Sequence, residues 1–201
     1  MDEFSYKTIA APVHEILLKE KGSKFIGYAF PVGNEAELKE HLEQIRNLHP
    51  KATHHCYAFR LGKEGENYRA NDDGEPSGSA GLPIYNQILA HELTNILLIV
   101  VRYYGGTKLG VAGLIKAYKE TAKETLAHGE VIIQEEKFLL QMSCGYDRQS
   151  SVYNLINRFS GTIVSSEQKE NAVTTVAFRK AQKKDISELI PEMPDINFEF
   201  L

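Results

Sequence analysis

Two β-like runs, residues 13–19 and 24–32, open the hydrophobic pattern, and Gly22 with Ser23 between them read as a hairpin turn. Asn34 then starts a helix, with Glu37 three residues on in a capping-box position. Leu38, Leu42, Ile45 and Leu48 keep helical spacing until His49 and Pro50 stop it. Strands follow at 54–61 and 67–71, joined by the charged, glycine-containing stretch 62–66. A short helix carries Leu82, Tyr85, Ile88 and Leu89, with Pro83 in its first turn. Residues 96–101 are continuously apolar, the pattern of a central strand buried on both faces. After a sharp break at 102–107, a long helix runs to about Ala127 on Val111, Leu114, Tyr118 and Ala122, and Gly129 ends it.

The pattern restarts near Lys137. Phe138, Leu140, Met142 and Cys144 alternate as a strand, and Val152, Leu155, Ile156 and Phe159 make a helical face closed by Gly161. Strands at 162–166 and 173–178 flank a polar turn around 169–171; a helix on Ile186, Leu189 and Ile190 and a final alternation of Ile196, Phe198 and Phe200 complete βαββαβ. That order is the ferredoxin-like arrangement. The expected class is α+β, with one domain over residues 1–135 and a ferredoxin-like one over 136–201.

Composition narrows the function classes. Hydrophobic residues are 42% and charged residues 25%, which is globular rather than disordered. The net charge is −4, divided as −3 before and −1 after the proposed boundary, so neither part is a basic module. An anion must then be held by a local, preorganised site rather than by a broad basic surface. The two cysteines, Cys56 and Cys144, lie in apolar runs without metal-ligand spacing and read as buried, inert thiols. The apolar run at 96–101 is far too short to cross a bilayer and the N-terminus is acidic rather than signal-like, so a cytoplasmic protein without membrane contact is expected. Neither a cofactor nor a metal is indicated.

Two segments can carry chemistry. In the first, Arg102, Tyr103, Tyr104, Gly105 and Gly106 lie between a strand and a helix start, with Lys108 placed just inside that helix. Unpaired N–H groups there, close backbone approach at the glycines and two cations would suit an anion, and the tyrosines would suit a stacked ring. The same residues also fit a tight turn whose arginine pairs with Asp73 or Glu75. The second segment, 71–81, reads NDDGEPSGSAG. Asp72, Asp73 and Glu75, around Gly74, are close enough to repel one another or to hold a cation. Ser79 and its neighbouring glycines could cradle phosphate before a helix, or Ser could simply cap it. Ser79 is not in a G-x-S-x-G elbow, so a serine hydrolase is poorly matched. His54 and His55 are adjacent in a strand and point to opposite faces, so one of them can reach the acidic loop. The other histidines, His49 included, read as surface or helix-end residues.

Three pieces in order, His54, His55, Cys56, then Asp72, Asp73, Gly74, Glu75, Pro76 with Gly78 and Gly81, then Val101 to Gly106 with Leu109, Gly110 and Gly113, resemble the IMPACT (YigZ-type) family in its bacterial two-domain form. The resemblance implies a first domain with the ribosomal-protein domain-2-like α+β fold and a second similar to the C-terminal domain of elongation factor G. Eukaryotic members regulate translation under amino-acid stress through a protein partner and an additional N-terminal domain. This chain starts almost directly at the shared domain, so that partner role is not carried over. The proline-dipeptidase label given to some bacterial relatives lacks its metal-ligand set here.

Two functions follow as expectations. The first is a translation-associated regulatory or binding protein contacting RNA, the ribosome or a translation factor. The alternative is an enzyme acting on a phosphorylated or nucleotide-like small molecule, a small anionic ligand held by the loops at 72–81 and 102–110. A plain protein–protein adaptor is the third, blander reading. For a single site, His55, Asp73, Glu75 and Arg102 should converge within a few ångströms. The oligomeric state is not legible.

Overall fold

The computed structural model describes residues 3–168 and 170–201; Lys169 in the expected polar turn, and Met1 and Asp2 of the acidic N-terminus, lie outside the described residues. The chain divides into two compact units, Tyr6–Gln134 and Glu135–Leu201, the latter taking the described N-terminal residues up to Ser5. Each has antiparallel sheet and helices, the α+β class.

The larger unit runs β1 (Ser5–Ile9), β2 (Val13–Glu20), β3 (Ser23–Pro31), α1 (Glu35–Leu48), β4 (His54–Leu61), β5 (Asn67–Asn71), α2 (Gly81–Ala90), β6 (Ile96–Tyr103), α3 (Gly110–Ala127) and β7 (Val131–Glu135). Five strands make an antiparallel sheet in the order β2-β3-β6-β4-β5. β6 is central, and alternate residues enter different cores, which explains its unbroken apolar run. Cys56, Leu98 and Val100 pack with Ile84 and Ile88 of α2 and Leu114 and Tyr118 of α3. Tyr57, Ile99 and Val101 pack on the opposite face with Leu38, Leu42 and Ile45 of α1. β1 and β7 pair apart from this sheet, and the apolar pattern did not announce either strand.

Local chemistry accounts for most boundaries. Asn34 Oδ1 accepts from the N–H groups of Ala36 and Glu37, and Glu37 accepts from Gly33, one residue earlier than a strict capping box. Two expectations are corrected. The β2–β3 turn is Lys21 and Gly22, with φ of +45° and +84°, as a two-residue hairpin of this hand requires; Ser23 already belongs to β3. α3 begins only at Gly110, so Lys108 precedes the helix instead of lying just inside it.

The smaller unit runs β8 (Lys137–Cys144), α4 (Gln149–Arg158), β9 (Thr162–Gln168), β10 (Ala172–Arg179), α5 (Lys183–Leu189) and β11 (Ile196–Phe200). Its antiparallel sheet order, β11-β8-β10-β9, is the ferredoxin-like one. Leu140, Met142, Val176 and Phe178 meet Val152, Leu155 and Ile186 in its core. The interior of the opposite sheet face carries Leu139, Gln141, Ser143, Val173, Thr175 and Ala177, with neither cation nor aromatic ring. Among the described residues no helix is long and apolar enough to cross a membrane.

Candidate functional site

The strand ends of the larger unit carry two polar clusters, one on each face of the sheet. Register sets the division. His54 lies opposite Arg102, and His55 opposite Val101, so His54 and Arg102 project to the α2–α3 side while His55 and Tyr103 project to the α1 side.

On the α2–α3 side, Arg102 is only 5% exposed and its Nη1 donates to Glu75 Oε1 at 2.6 Å. Tyr118 donates to the same oxygen at 2.8 Å. His54 Nε2 stands 3.8 Å from it, while Nδ1 donates to the Asp73 carbonyl at 2.7 Å. The guanidinium lies between the rings of Phe25 and Tyr104, 5.4 and 5.5 Å from their centroids. Among the described residues its Nε has no hydrogen-bond partner. Burial pushes the Tyr118 hydroxyl and the Cys56 thiol far up, so both stay protonated, Cys56 Sγ resting 3.0 Å from the Asp72 carbonyl. Above this cluster opens a cavity of about 400 Å³, bounded by Pro76, Tyr104, Lys108, Leu109 and Val111 with Glu75 and Arg102 at its polar end. Tyr104 is half-exposed.

On the α1 side, Asp73 Oδ2 accepts from the His55 N–H at 2.6 Å. The His55 ring donates from Nε2 to the His49 carbonyl at 3.1 Å. His49 is bracketed by two hydroxyls, Tyr28 at 2.6 Å from Nε2 and Tyr103 at 2.9 Å from Nδ1. It is the C-cap of α1, the helix-end residue expected, and it also belongs to this cluster. Burial, aided by Glu15, raises the Tyr28 hydroxyl to about 12.

Burial also lowers His49 and His55 below the ordinary histidine value of 6.5, against the opposing fields of Glu15 and Asp73. The unfolded chain therefore takes up protons that the folded chain resists. Stability from this source is complete above about pH 6.5 and is lost as pH falls toward the lowered folded values. The melting temperature should drop between about pH 7.5 and about pH 5.5, and the drop should shrink in His55→Gln. An unchanged drop in both His55→Gln and His49→Gln would clear these two groups of the effect.

Arg102 and Glu75 thus meet, and Asp73 and His55 meet, but the four do not form one site: the sheet separates the two pairs. The three carboxylates of the acidic loop diverge instead of crowding. Asp72 turns inward, its Oδ1 accepting from Ala80 and Gly81 and its Oδ2 from Gly78. These N–H groups were the expected phosphate cradle, and the protein's own carboxylate fills it. Ser79 does not cap α2 either; Ala80 holds that position, and Ser79 donates to the Pro76 carbonyl at 2.6 Å. Asp73 and Gly74, both at positive φ, turn the chain between the two clusters. Among the described residues no group of three His, Cys, Asp or Glu could hold a metal ion.

The first glycine of the pair serves the fold. A Cβ on Gly105 would lie 1.9 Å from the Gly22 carbonyl carbon, so the β6–α3 loop and the β2–β3 turn touch backbone to backbone. Ser23 Oγ accepts from Gly105 N at 3.2 Å. Gly106 faces open space at positive φ. Sequence reasoning missed Tyr118, Ser23, Tyr28 and His49 as members of these clusters. Tyr118 matched the apolar stripe of its helix, and only its hydroxyl, indifferent to periodicity, marked it out.

Fold and site define a two-unit α+β protein whose first unit bears a buried Arg/Glu/Tyr cluster beneath an aromatic-rimmed pocket. The profile of the Impact N-terminal domain matches residues 21–126, and the chain belongs to the IMPACT family. It is similar to the IMPACT family member YvyE of Bacillus subtilis, 32% identical over 190 residues, 94% of this chain and 87% of the relative. It is also similar to the IMPACT family member YigZ of Escherichia coli, 31% identical over 182 residues, 89% and 88% of the two chains. A crystal structure described as that of a hypothetical protein superposes with a TM-score of 0.75 at 28% identity, covering 98% of each chain.

Proposed function

We propose that this chain is a non-catalytic binding protein of the translation apparatus that engages single-stranded RNA, free or on the ribosome, at the Tyr104 edge of its first unit. The observation that carries this reading is the pocket between Tyr104 and Lys108. It offers a half-exposed ring for stacking, a cation at the rim for a phosphate and apolar walls at Leu109 and Val111. The state of the carboxylates also supports binding over turnover, because Asp72, Asp73 and Glu75 each already accept hydrogen bonds from the protein itself. The translation link rests on family membership and on the role of eukaryotic members in translation control. The free sheet face of the smaller unit has its cations, Lys137 and Arg179, only at one end and neither rings nor cations between, so it offers RNA no stacking platform.

One observation favours a second reading, a phosphorylated or nucleotide-like small molecule: the partnerless Arg102 Nε at the polar end of the cavity could donate to a ligand acceptor. Binding to an oligouridylate about twelve nucleotides long and to ribosomes, measured over a salt series, separates the two. Lys108→Ala should reduce the log–log salt slope by about 0.7, one single-strand phosphate. Tyr104→Ala should cost roughly 1–3 kcal/mol of binding. Absence of association at low salt, with saturable turnover of a nucleotide or sugar phosphate, would overturn the RNA reading; association with a purified translation factor alone would replace RNA with a protein partner.

A further inference from the structure

A second cavity, of about 370 Å³, opens on the α1 side of the same sheet end, lined by Gly22, Lys24, Ile26, His49, Tyr103 and Tyr104. Tyr104 borders both cavities and stands as a ridge between them. Across the strands on this face, Lys24 pairs directly with Tyr103 of β6 and with Lys19 of β2. Lys19, Lys24 and Tyr103 therefore form one row over three strands. Two lysines opposite each other in a sheet repel, and among the described residues neither is held in an ion pair. Glu20 does not relieve them, because it pairs with Ser23 and so belongs to the other face. The acid whose field is felt on this side is Glu15, and it acts on Tyr28 and His49. An anion laid along the row would remove the repulsion.

The rest of the cavity suits a flat ring. Tyr103 is held by its hydroxyl on His49 Nδ1, and His49 is held in turn by Tyr28, so the ring face is set before anything binds. Ile26 supplies an apolar side. An acidic peptide would answer the lysines but would leave the tyrosine rings unused; a nucleotide answers both.

We propose that this second cavity takes the neighbouring nucleotide of the same single RNA strand, its base against Tyr103 and Tyr104 and its phosphate toward Lys24 and Lys19, so that two consecutive nucleotides straddle Tyr104. The inference rests on the reading of the first pocket as an RNA contact.

The test uses the full chain, a fluorescein-labelled oligouridylate about twelve nucleotides long, the same oligomer without bases, and polyglutamate as competitor. The double variant K19A/K24A should reduce the salt slope by about 1.4, twice the single-strand value per phosphate. Its melting temperature should hold or rise, because a like-charge pair is gone; a purely structural role for the lysines would lower it. The oligomer without bases should bind at least several-fold more weakly. If K19A/K24A binds as wild type does while Lys108→Ala weakens binding, the second cavity is unused and the first reading stands. Equal binding of the baseless oligomer removes base stacking at both cavities, and equal competition by polyglutamate transfers the lysines to an acidic protein partner. Failure of the wild type to bind the oligouridylate overturns both readings.

Discussion

Arg102→Met should destabilise the first unit by roughly 3–5 kcal/mol, because it leaves the nearly buried Glu75 carboxylate without its cation. Glu75 and Arg102 side chains are only 4% and 6% exposed, and their contact is 2.6 Å. Methionine matches the length of the lost side chain and can still pack between Phe25 and Tyr104. What it cannot supply is a donor. Tyr118 alone would then face the carboxylate, with His54 Nε2 at 3.8 Å beyond hydrogen-bond reach. Adding Glu75→Gln to Arg102→Met should recover most of the loss, since the amide is neutral and its oxygen still accepts from Tyr118. Urea unfolding followed by circular dichroism measures both. A loss below about 1 kcal/mol in the single variant, or no recovery in the double, would mean the pair is not an isolated buried unit.

Asp72→Ala should cost about 3 kcal/mol and loosen the acidic loop. Ordinary N-cap losses are roughly 0.5–2 kcal/mol for one side chain bonding the first turn. Asp72 exceeds that case because it accepts three backbone N–H groups, those of Gly78, Ala80 and Gly81. Alanine leaves these donors near the start of α2 without an acceptor. Asp72→Asn should cost less, because one oxygen can keep Ala80 and Gly81 while its amide confronts the donor of Gly78. Glu75 and Pro76 lie on the same loop and border the first cavity, so the alanine variant should also bind oligouridylate more weakly. Amide exchange at positions 78, 80 and 81 reports the change directly. Wild-type protection there in Asp72→Ala would mean that water or another group takes over the cap.

Both predictions concern residues that stand out in the amino-acid sequence as polar interruptions of an apolar pattern. Their partners do not stand out. Arg102 has acidic candidates at 73 and 75, and the sequence offers no ground for choosing between them. The choice falls to the turn at Asp73 and Gly74, whose positive φ values direct Glu75 to one face while Asp73 stays with His55. The expected convergence of four residues failed for the same reason that His54 and His55 diverge. Strand parity was read correctly for the histidines, but it also carries Arg102 and His55 to different faces, a step that requires the register of β4 against β6.

The Gly-Gly loop shows the same limit. Glycines after a central strand resemble an anion-binding helix start, and that expectation is local. The true reason for Gly105 is Gly22, more than eighty positions earlier, pressed against it.

The sequence by itself determined the class of fold, the placement of most strands and helices, the cap at Asn34 and the βαββαβ order of the second unit. These depend on apolar period and on side chains that bond their own neighbours. β1 and β7 escaped because they pair with each other, from the two ends of the first unit and apart from the main sheet, so no local period marks them. Only the tertiary structure decided that Asp72 fills its own loop, that Glu75 rather than Asp73 takes Arg102, and that Tyr104 divides two cavities. Those outcomes turn on distances of a few ångströms between residues far apart in the chain, and hydrogen bonds discriminate at that scale while hydrophobic periodicity does not.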